Sequence, residues 1–387
     1  MDAQPLYDLS PVARMMLMGV VIALGPLAWI WMRNRQAAPA QRMAALTVLT
    51  LFLTFDLVLF GAFTRLTDSG LGCPDWPGCY GQASPLGAHA EISAAQSAQP
   101  TGPVTHRKAW IEMIHRYLAT GVGVLILTLT AASWMLHRRG GTLAVSPWWP
   151  TLTLVWVCLQ GAFGALTVTM KLFPAIVTLH LIGGLVLLAL LCVQAARFRQ
   201  AQRGEPPALV DGARRALLWA TTAAVTLQIA LGGWVSTNYA VLACRDFPQC
   251  QGSWWPQMDF LSGFEIWRHL GMTGSGEGIP FAALTAIHYT HRLWAYAVLA
   301  LMALLAWRLW RDPALARPAR WVAALAAWQF GTGLSNVVFD WPLAAAVSHT
   351  GGAAALVVVL TWALANSRVA DRTQANARDV MLREARA

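Results

Sequence analysis

The sequence predicts an all-α integral membrane protein made of two pseudo-symmetric four-helix bundles plus one extra N-terminal transmembrane helix. Three observations carry this: a composition too apolar for water, nine recurring apolar runs, and an internal repeat. Of 387 residues, 57% are hydrophobic and 12% charged, against about 25% charged in an ordinary soluble domain. The apolar runs lie near residues 12–32, 43–64, 112–136, 148–169, 176–196, 214–236, 281–307, 319–339 and 345–366. Each is close to the roughly 20 residues that cross a hydrocarbon core about 30 Å thick. The first run is too long for a secretory signal and lacks its small-residue cleavage site, so it reads as a retained span.

The net charge of +10 fits nucleic acid, anionic lipid or membrane topology, and the placement of the charges decides among them. When the connections are assigned alternately to two sides, 19 of the 28 Lys and Arg residues gather on one side. By the positive-inside rule that side is cytoplasmic, the N-terminus lies outside and the C-terminus inside. Topology explains the basic surplus, and no nucleic-acid partner is needed. Two long loops, about 67–111 and 239–282, then face outward, and each carries a cysteine pair: Cys73 with Cys79, and Cys244 with Cys250. An oxidising exterior favours a disulfide in each pair, with free thiols as the alternative. Cys158 and Cys192 fall inside apolar runs and read as small packed residues. Trp148-Trp149 and Trp254-Trp255 read as interfacial anchors.

The chain also resembles itself. Cys73, Asp75, Pro77 and Cys79 recur as Cys244, Asp246, Pro248 and Cys250 at an offset of 171, and Gly61 recurs as Gly232. Gln160 and His180 recur as Gln329 and His349 at an offset of 169, each histidine followed by a Gly-Gly pair at 183–184 and 351–352. His115-Arg116 recurs as His291-Arg292 at an offset of 176. Duplication of a four-span unit gives halves of the same orientation, with an axis along the membrane normal. The expected divisions are an accessory helix and loop at 1–42, a first half at 43–198, a linker at 199–213, a second half at 214–366 and a tail at 367–387.

His115, His180, His291 and His349 all fall near the outer ends of their helices. Ionisable residues inside spans default to a functional reading, although a lone histidine is as often a hydrogen-bonded core residue. Four at repeat-equivalent places favour function. Two imidazoles facing each other across a bundle suit an iron porphyrin held on both faces. The Gly-Gly pairs either admit the flat macrocycle or serve close helix packing. Arg116 and Arg292 are candidate contacts for porphyrin propionates, or else reach lipid phosphate. Symmetry breaks at Glu112, three residues before His115, whose equivalent is His288. That carboxylate is either an acid/base group or the partner of Arg116. A metal held by His288 and His291 alone is disfavoured for want of further ligands.

The stretch Gly61-Ala-Phe-Thr-Arg65-Leu-Thr-Asp-Ser-Gly70-Leu-Gly-Cys73-Pro-Asp-Trp76-Pro-Gly-Cys79, with Glu112-Met-Ile-His115-Arg116, resembles the haem A synthase family over about residues 45–365. The resemblance implies eight helices in two bundles and an oxidoreductase of the bacterial cytoplasmic (inner) membrane. Such an enzyme converts haem O into haem A for terminal oxidases by oxidising a ring methyl to a formyl group. It implies that His115 and His180 ligate the substrate haem, that Glu112 is the essential carboxylate, and that His291 and His349 ligate a haem b cofactor. It also implies that the Cys73–Cys79 disulfide serves activity or haem handling. Expected partners are haem O, membrane lipid and an unidentified redox partner, with haem O synthase a candidate; the oligomeric state stays open. The extra first span and the second cysteine pair depart from the common family pattern. A di-haem b-type cytochrome passing electrons from quinol explains the histidines but not Glu112, and a repeat-built transporter lacks a matched pair of broken helices.

Overall fold

A computed structural model describes residues 10–141 and 144–369; the expected N-terminal outer segment and most of the tail lie outside them. Within them the chain forms α1 (Ser10–Arg33), α2 (Pro39–Leu66), α3 (His89–Ala98), α4 (His106–Arg138), α5 (Trp148–Thr169) and α6 (Pro174–Arg203). There follow β1 (Ala208–Val210), α7 (Gly212–Thr237), α8 (Phe260–Gly263), α9 (Phe281–Trp310), α10 (Ala316–Val338), α11 (Leu343–Ala365) and β2 (Ser367–Val369).

All nine apolar runs are helices, and eight of them are long and apolar enough to cross a membrane. The chain is a multi-pass membrane protein. The ninth, α10, is diluted by Arg317, Arg320, Gln329, Ser335 and Asn336. Boundaries moved where capping chemistry acts. Helix α4 starts at His106 because the hydroxyl of Thr105 accepts the Lys108 N–H at 3.2 Å, which is how an N-cap satisfies an orphan donor. Helix α6 starts on Pro174 and ends at Gly204, which takes a left-handed φ of 65°, a conformation glycine adopts without steric cost. The linker is not featureless: β1 pairs in parallel with β2, and Arg215 ties the junction by donating to the Leu364 and Ser367 carbonyls at 2.7 and 2.6 Å.

Helices α2, α4, α5 and α6 pack as one quartet, and α7, α9, α10 and α11 as another, with α6 and α11 against each other and each also touching the other quartet's first helix. Helix α1 lies on α4, outside both quartets; Gly19 admits Thr120, so close that a Cβ there would stand 2.8 Å from the Thr120 Cβ. Polar side chains inside the apolar interior satisfy themselves locally. Thr47, Thr50 and Thr54, all buried, donate to carbonyls four residues back at 2.7 to 2.8 Å, since an unpaired polar group in hydrocarbon costs several kcal/mol, roughly.

At the disulfide-bearing end, residues that the repeat makes equivalent touch across the seam. Arg65 donates to the Ser236 carbonyl at 2.6 Å, and the Tyr239 hydroxyl donates to Asp68 at 2.6 Å. The second long loop also reaches the first quartet, where Trp267 and His269 pack on Phe173 with ring centres 4.7 and 5.5 Å apart. One expectation fails: Cys158 is exposed on α5, whereas Cys192 is buried as expected. A face of α5 with little neighbouring protein leaves that thiol uncovered.

Candidate functional site

His115 stands nine residues into α4, His180 six into α6, His291 ten into α9 and His349 six into α11. At about 1.5 Å per residue, all four lie roughly 9 to 15 Å from the same end of the molecule. His115 and His180 are close enough to interact electrostatically, and so are His291 and His349. Their rings keep partial exposure although they lie deep among packed helices.

Each imidazole rests against a glycine of the preceding long helix. A Cβ at Gly61 would stand 3.0 Å from His115, at Gly164 3.4 Å from His180, at Gly232 2.8 Å from His291 and at Gly333 3.3 Å from His349. These four glycines, two pairs at the repeat offsets, are the small residues that make room for the rings. Sequence reasoning noticed Gly61 and Gly232 only as repeat markers and missed Gly164 and Gly333; the 169-residue offset was the available signal. The Gly-Gly pairs do something else. Gly183 lies under the Gln160 side chain and Gly352 under Gln329 and Trp328, while Gly351 meets Leu59 at 3.6 Å, so they serve helix packing.

The nitrogens suit a metal-centred ring. Nδ1 of His180 and of His291 is buried with no hydrogen-bond partner among the described residues. Nδ1 of His349 pairs with the Thr332 hydroxyl at 2.9 Å, a contact that fixes the ring and leaves Nε2 for ligation. His115 stacks on Phe60 at 6.3 Å, with the ring planes 8° apart. Among the described residues no group of three His, Cys, Asp or Glu side chains forms a separate metal cage, and His288 instead places Nδ1 3.0 Å from the Ala240 carbonyl.

Both cysteine pairs are disulfides, and each closes a short loop that an arginine clamps from below. Arg116 donates to the Pro77 and Gly78 carbonyls at 3.1 and 2.5 Å; Arg292 donates to the Asp246, Gln249 and Cys244 carbonyls at 2.8, 2.6 and 3.1 Å. Asp75 accepts the Tyr80 and Gly81 N–H groups, and Asp246 those of Gln251 and Gly252, at 2.6 to 2.7 Å. Both arginines, expected as contacts for propionates or lipid phosphate, hold loop carbonyls in this way.

Under the first loop lies the asymmetric carboxylate. Glu112 is 4% exposed; its Oε1 accepts from Arg116 at 2.5 Å and its Oε2 from the Cys73 backbone N–H at 2.8 Å. Each carboxylate oxygen keeps a second lone pair. In the other quartet His288 takes this position and lies 3.4 Å from Arg292.

A family model described as cytochrome oxidase assembly protein, COX15-CtaA, matches residues 44–361. A heme A synthase of Shewanella oneidensis is 39% identical over 317 residues, 81% of this chain and 92% of that protein. One of a Methylobacterium species is 31% identical over 372 residues, covering 90% and 97%, and one of Rhizorhabdus wittichii 26% over 357 residues, covering 85% and 96%.

Proposed function

The chain belongs to the COX15-CtaA family of cytochrome oxidase assembly proteins, and from that premise we propose that it is a haem A synthase, a membrane oxidoreductase that turns haem O into haem A. The observation that carries the reading is a pair of matching imidazole sites of which only one adjoins a buried carboxylate. The two sites share their glycine cradles and clamped disulfide loops, so the difference at Glu112 and His288 marks a chemical half and a supporting half.

In this reading the first quartet holds the substrate. His115 and His180 would hold the haem O iron, while the apolar surroundings would accept its prenyl tail from the lipid. His291 and His349 would hold haem b, which would supply a one-electron redox centre when bound. Turning a methyl into a formyl group with oxygen from water releases four electrons and four protons, so reducing equivalents pass to a redox partner. Glu112 is kept in place by Arg116 and the Cys73 N–H, and its free lone pairs accept or return a proton, or stabilise positive charge developing at the methyl carbon. The protein sits in the bacterial cytoplasmic membrane with both disulfide loops outside, consistent with arginines concentrated on the opposite side.

The test is to purify the protein in detergent from cells that make haem O and to identify the extracted pigments. Haem B together with haem O or haem A is expected. Haem B alone would favour an electron-carrying cytochrome, and no pigment would overturn both.

A further inference from the structure

In the first quartet Arg116 is shared between Glu112 and the loop carbonyls, and further cations stand at the outer start of the same helix. A cavity of about 290 Å³ opens beside the start of α4 at the disulfide-bearing end, lined by Thr67, Ser69, Thr105, Arg107, Lys108 and Ile111 among others. It combines two cations with three hydroxyls. Lys108, Ile111 and His115 are spaced i, i+3, i+7, which puts them on one face of α4. Seven residues of helix rise about 10 Å, comparable with the span from the centre of a porphyrin to a carboxylate on its edge.

Both cations are available. Among the described residues the Arg107 guanidinium has no hydrogen-bond or ion-pair partner, and Lys108 holds the Gly102 carbonyl and Asp68, each at 3.2 Å. The Asp68 carboxylate is more than half exposed, and exposed ion pairs contribute little, so Lys108 can turn to a better anion. A larger cavity, about 800 Å³, opens beside the start of α9, but its lining sets one cation, Arg245, beside the carboxylate of Asp246. At the 176 offset that relates His115 to His291, Thr105, Arg107 and Lys108 become Phe281, Ala283 and Leu284.

We infer that this cavity is the carboxylate subsite of the substrate, with Lys108 and Arg107 holding the propionates of haem O above His115. The inference rests on the assignment of the first quartet to the substrate. It gives that quartet a second feature, after Glu112, that the supporting half lacks.

The test titrates haem O and its dimethyl ester into protein purified from cells without haem O synthase, followed by the Soret band, with haem b retention as the control for folding. Wild type should bind the free acid at least about tenfold more tightly than the ester, the scale of charge-assisted contacts. Arg107→Gln/Lys108→Gln should bind both with the ester's affinity, while Lys108→Arg and Arg308→Gln, in the last turn of α9, should keep the preference. A double variant that retains the preference, or a wild type that never shows it, overturns the subsite. A wild type that binds neither form overturns the substrate assignment as well. Should the double variant lose haem b, the comparison of wild type with Lys108→Gln alone decides by the same preference.

Discussion

The backbone N–H of Cys73 donates to the Glu112 carboxylate at 2.8 Å. The first disulfide loop is therefore tied to the buried carboxylate of α4, whose place the second half gives to His288. Arg116 closes the connection by holding both Glu112 and the loop carbonyls of Pro77 and Gly78, so carboxylate and loop form one polar unit beneath the surface.

Glu112→Gln keeps an acceptor for Cys73 but leaves Arg116 without its buried counter-charge. Removing one partner of a buried pair costs about 3–5 kcal/mol, so the thermal midpoint should fall. Haem A should disappear from extracts while haem O still binds. Full haem A production by this variant would remove Glu112 from the chemistry.

Arg116→Lys keeps a charge beside Glu112 but gives up the planar fork that reaches two carbonyls as well. Loss of those contacts should cost on the order of 1–3 kcal/mol and expose residues 73–79 to protease. Unchanged cleavage kinetics would mean that the loop is held by other contacts.

The two disulfides should differ in effect. Each closes a loop of six-residue separation, worth roughly 2 kcal/mol by chain entropy. Cys73→Ser/Cys79→Ser should lower haem A yield because Glu112 loses its fixed donor. Cys244→Ser/Cys250→Ser should lower haem b retention with a smaller effect on haem A formed per bound haem b. Equal loss of both pigments in both variants would contradict this division.

Filling the cradles should empty the sites one at a time. Gly61→Val should weaken retention of the substrate haem and Gly232→Val that of haem b, each by about tenfold or more, since overpacking costs about 1–3 kcal/mol. Gly123→Val, where nothing lies within 4 Å of the added Cβ, should change neither. Pigment-to-protein ratios measure all three.

The seam carries an acid-sensitive contact. Burial pushes Asp68 up, but hydrogen bonds from Tyr239 and Lys108 outweigh it and hold the carboxyl below the usual range. A depressed carboxylate stabilises the fold above its unfolded value, and the contribution is lost as pH falls through its folded value. Between about pH 6 and about pH 3, the thermal midpoint of wild type should therefore fall more steeply than that of Asp68→Asn. Parallel slopes would show that the seam contributes nothing.

Much of this was legible in the sequence because membrane crossing and duplication write themselves periodically. Apolar run length foretold the nine helices, and repeat offsets foretold matching histidines and cysteine loops. Helix starts at His106 and Pro174 escaped because a single cap or proline sets them. The pairing of Glu112 with Arg116 was legible from their i, i+4 spacing, but the loop partners of Arg116 and Arg292 escaped because carbonyls carry no sequence signal: any loop has them, and only folding shows which point at the guanidinium. Gly164 and Gly333 were hidden among many small residues, and only their contact with imidazoles tells them apart.

The central claim is that each quartet clasps one tetrapyrrole between two imidazoles. Low-temperature EPR of the oxidised protein, purified from cells that make haem O, tests it most directly. Wild type should show two low-spin bis-imidazole signals; His115→Ala or His180→Ala should abolish one, and His291→Ala or His349→Ala the other. Both signals persisting in any of the four variants, or one variant from each quartet removing the same signal, would contradict the account.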